Sequence, residues 1–124
     1  MSDSSPYGGT VREHFRRPRN QGAMPDATAS AEGVNPLCGD RVRVALKLDV
    51  KGTITDARFV ANACAICVAS SSLLTEHVRG WSREMAAALA DEDMFRLIQE
   101  PVPPARRRCA TLPLEALRRA LASQ

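Results

Sequence analysis

Aromatic side chains and long apolar runs are both scarce in this sequence of 124 residues, which has three Phe, one Tyr and one Trp. With so few rings, any core must consist mainly of Val, Leu, Ile and Ala. No apolar run approaches the roughly 20 residues needed to span a bilayer, so the sequence predicts no membrane contact. The length is typical of one domain. We expect residues 1–6 to be disordered and residues 7–124 to form that single domain.

Lysine is almost absent: of the 17 basic residues, only Lys47 and Lys51 are lysines, and the others are arginines. The formal net charge of +3 is too weak a bias to indicate nucleic-acid binding. Residues 1–6 show neither the charged region nor the apolar region of a secretory signal. Four cysteines without such a signal are typical of reduced thiols that serve metal binding or chemistry. We therefore expect a cytoplasmic protein.

Hydrophobic periodicity in the first half of the chain predicts one helix and two clear strands. Tyr7 to Arg17 carries apolar residues three and four positions apart, as on one face of a helix. Residues 23–37 indicate at most one weak strand. Arg41 to Leu48 and Thr53 to Val60 alternate polar and apolar residues, which predicts two strands joined as a hairpin.

The second half of the chain has the periodicity of helices. Helices are predicted over Val68 to Val78, over Arg83 to Ala90, and from Asp91 onward. A final leucine-rich helix tolerates Pro113 only if that residue lies in its first turn. This order of elements favours an α+β fold with helices on one face of a small antiparallel sheet.

Three cysteines on separate polar segments suggest a metal site. Cys38, Cys64 and Cys109 are spread over most of the chain, and Asp40 follows the first of them by two residues. Three thiolates and a carboxylate form a chemically sensible shell for Zn²⁺ or for iron in an Fe–S cluster. The turn Asn35 to Asp40 can aim its cysteine and aspartate at one point. A structural cysteine beside an aspartate in a turn explains that segment alone equally well.

Cys64 and Cys67 form a C-x-x-C pair at the start of a predicted helix. A thiol at a helix N-terminus is favoured in its thiolate form by the helix dipole. For Cys67, the role of a small buried hydrophobe is favoured over that of an additional ligand. A thiol–disulfide oxidoreductase of thioredoxin type would need a βαβ unit, which this chain does not offer, so that function ranks last.

Cys109 follows three arginines, residues 106–108. Neighbouring cations stabilise a thiolate, although a short basic run is also typical of a solvated face. His14 and His77 lie on predicted helices without metal-ligand spacing to any cysteine. Both histidines are expected to be structural or exposed rather than ligands.

Four segments together carry a resemblance that spans nearly the whole chain. They are Tyr7 to Gly22, Asn35 to Asp40, Cys64 to Glu76, and Pro103 to Leu112. In this order they resemble the U-type iron–sulfur cluster assembly scaffolds, the family that comprises IscU and the NifU N-terminal domain.

The resemblance implies an α+β fold in which an antiparallel sheet of about three strands carries an N-terminal helix and a C-terminal set of helices. It also implies that Cys38, Asp40, Cys64 and Cys109 hold a labile [2Fe–2S] cluster. Sulfur would come from a cysteine desulfurase, and the cluster would pass to apo Fe–S proteins. Zn²⁺ is expected in the same site of the purified protein. Such a scaffold is not an enzyme in the turnover sense.

One departure from the family points to an alternative function. Arg108 stands where IscU-type members have histidine, and arginine cannot bind a metal. A basic residue there resembles the SufU branch, whose members bind Zn²⁺ and accept sulfur from their desulfurase. A zinc-dependent sulfur acceptor is therefore the alternative, although the spacing between Cys64 and Cys109 leaves no room for the insert of that branch.

Other departures lie beside the middle cysteine and in the segment that a chaperone recognises in IscU-type members. Ala63 and Ala65 replace glycines, and Cys67 replaces a small residue. Because the histidine ligand of IscU-type members is missing, the sequence leaves open whether Cys67 substitutes for it. The chaperone segment reads Val102 to Arg106, which weakens the expectation that an Hsp70-type chaperone binds it. The residues predicted to contact partners are Pro103, Pro104 and Arg106.

Overall fold

Three strands and five α-helices make up residues 9–123, the part of the chain that the computed structural model describes. The predicted α+β class is confirmed, and Tyr7 and the segment 1–6 lie outside the described residues. The elements in chain order are α1 (Gly9–Arg16), β1 (Ala29–Asn35), β2 (Asp40–Leu48), β3 (Ile54–Asn62), α2 (Ala65–Val78), α3 (Arg83–Ala87), α4 (Asp91–Ile98), a 3₁₀ turn (Pro104–Arg106) and α5 (Arg107–Ala122).

The sheet is antiparallel with the order β1-β2-β3, so β2 is the central strand. The predicted hairpin is confirmed, and Val44 of β2 pairs with Ala31 on one side and Phe59 on the other. The weak strand expected within residues 23–37 is a full strand, β1. Its small residues suit a close neighbour, because a Cβ atom added at Gly33 would lie 3.0 Å from the Leu112 carbonyl oxygen of α5.

The helices cover one face of the sheet, where α5 packs on β1 and β2 while α2 packs on β3. The core is aliphatic apart from the fully buried Phe59, as the scarcity of aromatic residues predicted. Alternate residues of β2 point into this core because side chains on a strand alternate between its two faces. The largest inward side chains of the sheet are Val42, Val44, Leu46, Ile54 and Phe59.

Helix α2 is buried around nearly its whole circumference, and its three consecutive serines are satisfied inside the fold. Ser71 donates to the Cys67 carbonyl at 2.8 Å, and Ser70 donates to the Ala110 carbonyl of α5. Ser72 accepts a hydrogen bond from the Arg19 backbone N–H at 2.9 Å. Buried polar groups are costly without partners, so these bonds allow a serine-rich helix to occupy the core.

Three predicted helix boundaries need correction. Helix α2 begins at Ala65, earlier than predicted, because Cys64 is its N-cap. Helix α3 ends at Ala87 rather than Ala90, because Ala90 already serves as the N-cap of α4. Helix α5 begins at Arg107, directly after the 3₁₀ turn, so Pro113 lies beyond its first turn and the prediction for that residue was wrong. A proline there has no N–H to donate to the carbonyl four residues earlier.

Helix α1 is held against the helical layer at both of its ends. The Glu100 carboxylate accepts from the Val11 backbone N–H at 2.9 Å, and His14 Nδ1 lies 2.7 Å from Ser72 Oγ. The chain after α1 then runs beside β3, where the Phe59 N–H donates to the Asn20 carbonyl at 3.0 Å. The structural role expected for His14 is confirmed by its burial.

The burial of His14 predicts a stability that depends on pH. Burial, and secondarily the charge of Arg19, lowers the pKa of His14, while Glu76 and Glu13 act in the opposite direction. The unfolded chain then binds a proton more readily, so stability is present above the ordinary histidine pKa of about 6.5 and is lost as the pH falls below it. We expect His14→Asn to reduce the slope of the free energy of unfolding between about pH 7.5 and about pH 5, measured by urea titration.

Exposed His77 supplies the matched control, since His77→Asn removes a histidine without removing a buried one. If the free energy of unfolding changed with pH as steeply in His14→Asn as in the parent chain, the lowered pKa of His14 would not be the cause of the pH dependence.

Candidate metal centre

Asn35 organises the turn between β1 and β2 that carries Cys38. Its side-chain carbonyl accepts from the Leu37 backbone N–H at 3.2 Å, and its amide nitrogen donates to Cys38 Sγ at 3.0 Å. Gly39 donates its backbone N–H to the Asn35 carbonyl at 2.9 Å and has a φ of +73°, a backbone conformation that favours glycine. The turn therefore holds the Cys38 sulfur through local bonds.

Three predicted ligands converge where this turn meets the start of α5. The Cys38 and Cys109 sulfurs and an Asp40 carboxylate oxygen all lie within 4.8 Å of one another, and the two sulfurs are 3.9 Å apart. Cys38 is exposed, whereas Asp40 and Cys109 are buried. The group therefore opens to solvent on one side only.

Cys64 borders this group from the N-terminus of α2. It is half-buried, and it is one of the neighbouring groups that raise the pKa of Cys109. It does not belong to the tight group of three, so its role as the fourth ligand stays a prediction. Cys67 lies in the first turn of α2 with 0% of its surface exposed, and burial raises the pKa of its thiol. That burial agrees with the expectation of a small packed residue.

The electrostatics of the site favour a cation. One carboxylate oxygen of Asp40 is buried and has no hydrogen-bond partner among the described residues. Burial, and secondarily the neighbouring Asp40 and Cys64 side chains, raises the pKa of the Cys109 thiol. An unpaired buried carboxylate oxygen is costly, and a metal ion would satisfy it. Soft thiolates with one carboxylate suit Zn²⁺ or iron, so the donor set fits such a metal.

The three arginines before Cys109 make different contacts. Arg107 stacks on the Phe95 ring at 4.2 Å from its centre, and Arg108 lies 3.8 Å from the Glu115 carboxylate. The neighbouring Cys109 side chain raises the pKa of the Arg106 guanidinium. All three arginines are exposed, in agreement with the alternative of a solvated face.

Two contacts of the site lay outside the sequence reasoning. The Asn35 amide bond to Cys38 could have been suspected from an Asn-Pro pair opening a turn, but the approach of Arg106 to Cys109 has no sequence signal.

Pro103, Pro104 and Arg106, predicted to contact partners, are all exposed and lead into α5.

No helix among residues 9–123 is long and apolar enough to cross a membrane.

The Asn35 side chain supplies a prediction for this turn. Asn35→Ala removes the bonds to Leu37 and Cys38 and should lower the free energy of unfolding by about 1–2 kcal/mol. It should also weaken Zn²⁺ binding, measured by chelator competition, because the Cys38 sulfur is no longer held. Asn62→Ala, at an exposed asparagine of β3, is the matched control. Equal stability and equal Zn²⁺ affinity in the two variants would show that Asn35 does not organise the site.

Two thiols and a carboxylate gathered at one end of a sheet with helices on a single face define an α+β domain with a possible metal site. Residues 6–123 match the family model described as the NifU-like N-terminal domain. The chain belongs to this family.

Named relatives agree with this placement. The iron–sulfur cluster assembly scaffold protein IscU of Haemophilus influenzae is 35% identical, over 94% of this chain and 93% of that protein. The iron–sulfur cluster assembly enzyme IscU of Drosophila melanogaster is 37% identical, over 94% of this chain and 76% of that protein. The bifunctional protein NifU/MnmA of Rubrobacter xylanophilus is also 37% identical, but the chain spans only 23% of its length.

Solved structures share the fold. A SufU scaffold protein from Fervidobacterium islandicum superposes with a TM-score of 0.80 at 24% identity, over 93% of this chain and 96% of that one. The N-terminal part of a NifU-like protein from Brucella abortus gives a TM-score of 0.76 at 25% identity, over 94% and 92%. The arrangement of helices on one face of the sheet is therefore shared with these two proteins.

Proposed function

We propose that this protein is a scaffold on which a labile [2Fe–2S] cluster is assembled and from which it is passed to apo-proteins. The observation that carries the proposal is the convergence of Cys38, Asp40 and Cys109 around a buried carboxylate oxygen with no partner among the described residues. Cys64, beside Cys109, completes the proposed set. The names of the IscU relatives support the same function.

The graded burial of the ligands suits a cargo that must leave. Cys38 is exposed on a turn, whereas Asp40 and Cys109 anchor the inner side of the site. An acceptor protein can reach the cluster from the Cys38 side and exchange its own thiolate for that ligand. Ligands on three separate elements also allow the site to loosen without unfolding the core.

Partner contacts are proposed for the exposed approach to Cys109. A cysteine desulfurase would supply sulfur, and apo Fe–S proteins would receive the cluster. Pro103, Pro104 and Arg106 are exposed at the 3₁₀ turn before α5, so a partner that binds them would lie next to the ligands. In this function the protein is a carrier and is not an enzyme with turnover.

The second candidate is a zinc-dependent sulfur acceptor. Arg108 lies near Glu115 and has no atom that could bind a metal, which leaves three thiolates and Asp40. That set is complete for tetrahedral Zn²⁺. Anaerobic reconstitution with iron and sulfide separates the two functions. The scaffold should turn brown and hold iron and sulfide, whereas the sulfur acceptor should keep tight Zn²⁺ and form no stable cluster.

Metal binding should need all three proposed cysteine ligands. We expect Cys38→Ser, Cys64→Ser and Cys109→Ser each to lower metal or cluster occupancy sharply, because a hydroxyl is a poor ligand for a soft metal. Occupancy is measured by elemental analysis for zinc and by visible absorbance for the cluster. Cys67→Ala is the matched control and should keep parental occupancy. Intact occupancy in one serine variant, or a loss in Cys67→Ala, would show that the ligand set is misassigned.

Asp40 should control how long the cluster stays. A carboxylate oxygen is a harder and weaker ligand for these metals than a thiolate, so it keeps one position exchangeable. We expect Asp40→Ala to lengthen the lifetime of the reconstituted cluster, followed by its visible absorbance in air. Asp26→Ala, which removes an exposed carboxylate paired with Lys47, is the control. Faster decay in Asp40→Ala than in the parent would contradict this role.

A further inference from the structure

Cys67 is the one thiol that the proposed metal centre does not use, and the fold places it directly behind Cys64. Cys64 is the N-cap of α2, with extended backbone angles of φ −71° and ψ 170°, and Cys67 is the third residue of the helix. Side chains at the N-cap and at the third helical position can reach each other, as capping boxes show. Residues three apart on a helix have Cβ atoms about 5–6 Å apart, and a disulfide needs about 3.5–4.5 Å. A small rotation at the non-helical Cys64 closes that gap.

The two thiols differ in their access to solvent. Cys64 is half-buried, whereas Cys67 is fully buried. The Cys64 side chain makes no capping hydrogen bond, so no such bond holds it away from Cys67. A reagent from solvent therefore reaches Cys64 before Cys67. This is the division between an outer attacking thiol and an inner resolving thiol.

We propose that Cys67 is a resolving cysteine that reduces a persulfide formed on Cys64. The Cys67 sulfur attacks the Cys64 sulfur of the ionised persulfide, and the Cys64–Cys67 disulfide forms as the bond to the terminal sulfur breaks. The proton of the Cys67 thiol passes to the terminal sulfur, which leaves as hydrosulfide. The terminal sulfur gains two electrons, and the two cysteine thiols together lose two. The step needs no reductant beyond Cys67 itself, and the persulfide comes from a persulfide donor, so the inference rests on the proposed function.

The consequence is that sulfide is released next to the sulfurs of Cys38 and Cys109. Each reduced chain releases one sulfide, because the Cys64–Cys67 disulfide must be reduced by an external dithiol before the next cycle. While the disulfide persists, Cys64 is withdrawn from the metal site, so sulfide release precedes cluster assembly. Reduction then restores all three proposed cysteine ligands.

The test uses the reduced, metal-free chain and glutathione persulfide, with released sulfide and peptide masses as readouts. Trypsin separates the cysteines, since residues 59–79 carry Cys64 and Cys67, residues 20–41 carry Cys38, and residues 109–118 carry Cys109. We expect sulfide release and a loss of about two mass units within 59–79, from the two thiol hydrogens. Cys67→Ser should keep a persulfide on 59–79 and release sulfide at least about tenfold more slowly.

Two further variants keep the outcome decisive. Cys67→Ala is a second removal of the thiol, in case the serine variant does not fold, and should behave like it. Cys38 Sγ lies 3.9 Å from Cys109 Sγ, so these two cysteines are the competing pair. Cys38→Ser removes that pair, is the matched control and should still form the disulfide within 59–79. In the parent chain, a disulfide that joins 20–41 to 109–118 instead would overturn the proposal, and so would equal persulfide lifetimes in the parent and Cys67→Ser. Cluster reconstitution of Cys67→Ala tests the scaffold function separately.

Discussion

The close approach of α5 to β1 at Gly33 determines where the metal centre lies. A Cβ at that position would lie 3.0 Å from the Leu112 carbonyl oxygen, so a side chain there would crowd the helix and glycine suits this close packing. The first turn of α5 thereby reaches the end of β1, where the turn with Cys38 begins. Cys109, three residues before Leu112, is carried to within 3.9 Å of the Cys38 sulfur. The close packing at Gly33 thus helps to bring together Cys38 and Cys109, which are far apart in the chain.

Helix α2 fixes the remaining side of the centre because it cannot shift without breaking buried bonds. Its serines bind backbone groups of α2, α5 and the segment after α1. The bonds of Ser70 and Ser72 join α2 to other parts of the fold, so each would leave a buried polar group unpaired if the helix moved. These bonds therefore hold in place the helix whose N-cap is Cys64. The centre has two buried sides and one exposed ligand.

Local features of the site could be predicted from the sequence, and long-range ones could not. The turn that presents Cys38 and Asp40 is encoded by residues next to each other, and the β2–β3 hairpin follows from simple alternation. The pairing of Cys38 with Cys109 depends on Gly33, whose importance shows only when Leu112 packs against it. The start of α5 was missed for a related reason, because the 3₁₀ turn that begins it made Pro113 an interior residue. Resemblance to a family, rather than spacing, predicted that the cysteines meet.

The bond between Glu100 and Val11 has a consequence for the third cysteine. Glu100 lies directly before the proline-rich stretch that leads to Cys109, and its carboxylate caps the start of α1 at 2.9 Å. Helix α1 is thus joined to the segment that leads to Cys109, so a partner that displaced α1 would act on the tether of a proposed metal ligand. In the proposed function, the affinity of the site for its cargo would then respond to a surface that touches none of the sulfurs.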